Sequence, residues 1–113
     1  MEGENKNSKE DLNKNFELDR ELKISKQLVL ESIRNNGIEG SVEMLGGWCD
    51  KAEKWAEEDS SKRRMVIINF AKYDFYIAAN NNEEALECAE DAMYMANQEG
   101  YSDLESYIKS KIK

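Results

Sequence analysis

The stretch SKRRMVIINFAKYDFYIAA, residues 61–79, decides the fold. At about 100° per residue, Val66, Phe70 and Ile77 share one flank of a helix, and Ile67, Ile68, Ala71, Phe75, Ala78 and Ala79 fill much of the remaining circumference. A helix apolar over most of its girth must be packed on several sides. Only a narrow strip escapes, made of Lys62, Met65, Asn69, Lys72, Tyr73, Tyr76 and Asn80. The segment is therefore predicted to be a central helix enclosed by its neighbours.

The flanking sequence supplies those neighbours. Upstream, Leu18, Leu22, Leu28, Val29 and Ile33 recur at helical spacing, with Phe16 and Ile24 nearby, which predicts a helix over 17–35. Asn35-Asn36-Gly37 stops it, Gly37 suiting the left-handed position after a helix. A second helix is expected over 41–58, with Val42, Leu45, Cys49, Ala52 and Ala56 as its inward stripe. Gly46-Gly47 interrupts it, so either another backbone passes close by or the helix begins at Gly47. Downstream, Asn80-Asn81-Asn82 reads as a turn with Asn82 as N-cap. A fourth helix over 83–98 buries Ala85, Leu86, Ala89, Ala92, Met93 and Ala96, alanines that permit close approach to the third. Gly100 ends it, and Ser102-Asp103-Leu104-Glu105 has the form of a capping box opening a fifth helix over 102–112. Residues 1–15 offer only Leu12 for burial and are expected to be a mobile polar tail before a single domain over 16–113.

Composition agrees with an all-α, mostly antiparallel bundle of four or five helices. The 113 residues include no proline, the residue helix interiors exclude, and no alternating β-branched run is bounded by a hairpin turn. The formal net charge of −8 disfavours nucleic-acid and anionic-membrane binding over most of the surface. No apolar run approaches the length of a membrane span, and the N-terminus lacks an apolar signal core, so a cytoplasmic location is the default expectation. Cys49 and Cys88 stand apart beside apolar helical faces, which favours two buried thiols, with a disulfide between them as the alternative.

Residues 66–99 resemble a tetratricopeptide helix pair. With Ala85 on that family's small position at the start of its second helix, Tyr76 matches the first-helix tyrosine and Ala92 the second small residue. Asn-Asn-Asn-Glu-Glu-Ala-Leu at 80–86 is similar to the family's turn. Asn69 stands where the family has tryptophan, Lys72-Tyr73 where it has Leu-Gly, Ala89 replaces an aromatic and Asn97 the terminal proline. One repeat earlier, Val42, Lys51 and Glu58 do not fit the pattern. The resemblance implies one antiparallel hairpin rather than a solenoid, and would place Asn69, Lys72, Tyr73 and Tyr76 in a peptide-holding groove, where Asn offers both donor and acceptor. Helical amphipathicity alone also yields such a strip, as a seam under a neighbouring helix.

Three further groups stand out. Trp48 and Trp55, two turns apart and beside Met44, form either an aromatic partner-binding ridge or a flank of the core. Lys62-Arg63-Arg64 is a basic cluster at a helix start, but Glu57-Glu58-Asp59 precedes it, so charge pairing is expected over phosphate binding. Glu84, Glu87, Glu90 and Asp91 share the face of the fourth helix away from its alanines, as a solvent face or a dock for a basic protein surface. Asp74, at the edge of the apolar arc, needs a lysine or tyrosine partner if buried.

Enzymatic chemistry has little to stand on. There is no histidine to serve as general base or metal ligand, no phosphate-cradling loop, and no imidazole partner for either cysteine. No catalytic residue, cofactor or metal is expected. The expected function is a protein–protein interaction or adaptor module, self-association included. The alternatives are an acidic regulator docking a basic partner surface, nucleic-acid-binding machinery included, and a small-ligand carrier or enzyme.

Overall fold

The computed structural model describes residues 18–112, and the expected tail over 1–15, with Phe16, lies outside them. Five helices follow one another: α1 (Arg20–Asn36), α2 (Val42–Glu57) after a 3-10 turn at Glu39–Ser41, α3 (Arg63–Ala78), α4 (Asn82–Glu99) and α5 (Ser102–Lys111). No strand occurs among the described residues. The all-α expectation holds, and α3 with α4 forms a packed antiparallel hairpin.

α3 is enclosed by all four other helices. Ala85, Ala89, Ala92 and Ala96 of α4 are fully buried, and Asn69 of α3 reaches Met95 of α4. α2 sets Trp48 perpendicular to Phe75, ring centroids 5.0 Å apart and 81° between planes, the T-shaped geometry that aromatic quadrupoles favour. α5 sets Tyr107 edge-on to Phe70 at 6.1 Å. α1 contributes Lys26, whose Nζ lies 2.5 Å from Asp74 Oδ2. Asp74 is only half-buried, and it pairs with a lysine all the same. Val66, Ile67, Ile68, Ala71 and Phe75 are buried, whereas Ile77, expected on an apolar flank, is exposed near the end of the helix.

The helix ends explain most boundary shifts. Asp19 caps α1 by accepting from Leu22 N at 2.9 Å. Asn80 ends α3 at φ 61°, with Asn81 N bonded to Tyr76 O (2.9 Å) and Asn80 N to Ile77 O (3.0 Å). That is the double bond of a Schellman motif, with asparagine in the left-handed position usually given to glycine. Asn81, not Asn82, then caps α4 through its side chain to Glu84 N. Gly100 repeats the motif at φ 79°, bonding Tyr101 N to Ala96 O at 2.8 Å. This closure makes Tyr101 the residue before α5, so the capping box expected at Ser102 does not form. Ser41 precedes α2, and its buried hydroxyl bonds Gly37 O and Ser32 Oγ rather than a backbone N–H of the helix.

Two inward stripes are rotated from expectation. In α2 the buried residues are Trp48, Ala52, Trp55 and Ala56; Val42 is exposed, Leu45 and Cys49 half-buried. In α1, Leu22, Val29, Leu30 and Ile33 face inward, while Leu28 and Ile24 point outward. On α4, Leu86 is exposed and Met93 half-buried, leaving the alanines as the contact face. Gly46 and Gly47 sit inside α2 with nothing within 4 Å of where a Cβ would stand, so neither a close backbone nor a late helix start accounts for them.

Both glycines therefore weaken α2 without relieving any contact. Replacing Gly46 or Gly47 by alanine should each raise stability by roughly 0.5–1 kcal/mol, read from urea denaturation midpoints at unchanged slope.

Candidate interaction surface

The tryptophans are interior groups. Trp48 is 2 % exposed, and its indole Nε1 donates to Leu22 O of α1 at 3.0 Å. Trp55 is 9 % exposed and lies under Arg64, whose guanidinium carbon is 4.6 Å from the ring centroid. Met44 alone of the three is exposed. The aromatic ridge is thus not a free surface, because the two largest side chains of α2 fill the gap between α1 and α3.

The basic triplet is consumed by the fold. Arg64 donates to Trp55 O at 2.7 Å and pairs with Glu58 (3.5 Å) and Asp59 (3.8 Å). Arg63 reaches Asp103 with both terminal nitrogens and lies 5.3 Å from the Tyr101 ring centre. Lys62 approaches Glu99 at 3.7 Å. The start of α3 is joined in this way to the end of α2, the end of α4 and the start of α5.

The polar strip of α3 splits. Asn69, Lys72, Tyr73 and Tyr76 are all half-buried. Tyr73 turns toward Phe70, stacked at 5.5 Å and 21°. Lys72 instead lies close enough to Cys49 of α2 and Cys88 of α4 for its charge to act on both thiols, and Tyr76 lies near the same two cysteines. The four residues do not converge on one groove. Both cysteines are free thiols. Burial pushes each thiol above its ordinary pKa, with Lys72 offsetting part of the rise; burial also raises the Tyr76 phenol. Among the described residues no group of three or more His, Cys, Asp or Glu is placed to hold a metal.

On α4, Glu84, Glu87, Glu90 and Asp91 are all exposed, and none is in a salt bridge among the described residues. Nearby Tyr94 is 68 % exposed.

The surface that sequence reasoning missed lies on α1. Ile24 and Leu28 are 56 % and 55 % exposed, one turn apart on the side opposite the core. An open groove flanks them on each side. One, of about 440 Å³, runs toward Phe70, Asp74 and Tyr107; the other, of about 510 Å³, runs toward Lys51, Lys54 and Trp55 of α2. A signal for this was present. α1 carries more large apolar residues than one stripe accommodates, and Ile24 and Leu28 fall about 200–240° from Leu22 on a helical wheel.

No family model matches the chain, and no match was found among curated proteins or solved structures.

Two chemical outcomes follow from the local environments. Cys49 and Cys88 should be alkylated by iodoacetamide at neutral pH more slowly than a peptide cysteine, and Lys72→Gln should slow both further, as followed by intact mass. Asp103 is held below the ordinary carboxylate range chiefly by its bond from Arg63. A depressed folded-state pKa stabilises above the unfolded value, and that contribution is lost as the pH falls through the folded value. The stability difference between wild type and Asp103→Asn should therefore shrink below about pH 4, measured by urea midpoints across the acid range.

Proposed function

We propose that this chain is a protein–protein interaction module without catalytic activity, and that its contact face is the outward side of α1. The observation that carries the reading is the pair Ile24 and Leu28, each more than half exposed on a ridge between two open grooves. Fully burying a Leu or Ile side chain is worth roughly 1.5–3 kcal/mol, and much of that gain is left unclaimed at both positions. Scattered exposed hydrophobes need no explanation. Two of them one turn apart, beside grooves with partly apolar linings, form the kind of surface that a partner covers.

The acidic side of α4 supports a second reading, in which a basic partner surface docks on Glu84, Glu87, Glu90 and Asp91. Its support is the lack of salt bridges to these carboxylates within the described fold, with Tyr94 exposed beside them. The contacts of such a surface weaken with added salt, whereas an apolar α1 contact is far less salt-sensitive.

A photo-crosslinking residue at position 28 separates the readings. It should give discrete protein adducts that Ile24→Asp suppresses, while charge reversal at Glu87, Glu90 and Asp91 leaves them intact. Adducts lost only on the α4 charge reversal would move the function to the acidic side. Circular dichroism should show unchanged helicity, since each altered side chain is exposed.

A further inference from the structure

From the charge pattern of α1 we infer that the partner on this face is a second copy of the same chain, docked through antiparallel α1 helices about a two-fold axis. The inference rests on the interaction-module reading and names its partner. Arg20, Ile24, Leu28 and Glu31 fall at i, i+4, i+8 and i+11, within about 80° of arc on the side away from the core. All four are exposed, and neither Arg20 nor Glu31 is in a salt bridge among the described residues. The strip therefore reads cation, apolar, apolar, anion.

Such a strip is complementary to itself when reversed. In an antiparallel pair, Arg20 of one copy meets Glu31 of the other at both ends, and Ile24 and Leu28 interleave with their counterparts between them. A parallel pair would set like charges side by side. A two-fold contact uses the same patch on both copies and closes, so it stops at a dimer. Ridges of one helix seat in the grooves of another, and each α1 is itself a ridge with a groove on either side.

Long-range charge favours the same choice. The chain as a whole carries −8, which repels a second copy over most of the surface. α1 carries Arg20, Lys23, Lys26 and Arg34 against Glu21 and Glu31, a net +2. With Lys26 offset by Asp74, α1 lies outside the acidic surface that sets the overall charge, and two copies meet there with less repulsion than through the acidic side of α4. A single helix pair lies at the small end of interfaces, so the association is weak and concentration-dependent, with a Kd on the order of tens to hundreds of micromolar.

Sedimentation velocity on the full chain tests this. Wild type should shift from monomer toward dimer as concentration rises to about a millimolar, and Leu28→Glu should remain monomeric with unchanged helicity and Tm. Arg20→Glu and Glu31→Arg should each weaken association at least about five-fold, because each places like charges at both ends. An equimolar mixture of those two variants should associate as a mixed dimer, since opposite charges then face each other again at both ends. A wild type that stays monomeric throughout, or a mixture that associates no better than its components, overturns the self-pairing. If position-28 adducts to another protein still form and still respond to Ile24→Asp, the module reading survives that result. If they do not, both readings fall.

Discussion

Everything in this fold depends on enclosing α3. Its apolar residues point in nearly every direction, so no single neighbour satisfies it, and each flanking helix meets it by a different device. α4 uses four alanines, whose small size brings two backbones close. α2 uses an indole, α5 a tyrosine ring, and α1 an ammonium group placed against Asp74.

The same demand explains where polar chemistry went. The concentrated run of positive charge lies where three other helix ends converge on the start of α3, and it is spent on them. Arg64 adds a second, shorter bond to the Trp55 carbonyl at the end of α2, which also accepts from Glu58 N, and Arg63 holds the start of α5 through Asp103. Tyr73, Asn69 and the two indoles are likewise engaged inside. The outward sides of α1 and α4 stay exposed, as do Val42 and Met44 at the start of α2. α1 and α4 carry opposite net charge.

The enclosed α3, the alanine side of α4 and the positions of the connections were legible in the sequence, because each rests on local periodicity or turn chemistry. The orientation of α2 was not. That helix carries apolar residues on more than one side, and a wheel alone gives no preference between Val42 and Trp48. Packing decides by size: the Trp48 indole fills the deep space beside Phe75, and smaller Cys49 and Leu45 lie toward the edge. Residue type misplaces the caps at Asn82 and Ser102 for one reason. A side chain or backbone group nearby is already claimed by the preceding helix end, a competition between neighbours that residue type alone does not reveal. The exposed pair on α1 was legible in principle, since Leu22, Val29 and Ile33 cluster on the wheel and Ile24 and Leu28 fall well away from them, but counting apolar residues without their angles puts Leu28 inside.

The placement of the two indoles has a practical side. Both chromophores belong to one helix yet report on different depths: Trp48 is bonded to the backbone of α1, while Trp55 lines the groove beside Leu28. Intrinsic emission from this molecule is consequently a built-in gauge of the α1–α2 seam. Quenching or a spectral shift confined to Trp55 marks occupancy of the outer cleft, and a red shift from Trp48 marks α1 lifting away from the body of the protein, so the two events are distinguishable without attaching a label.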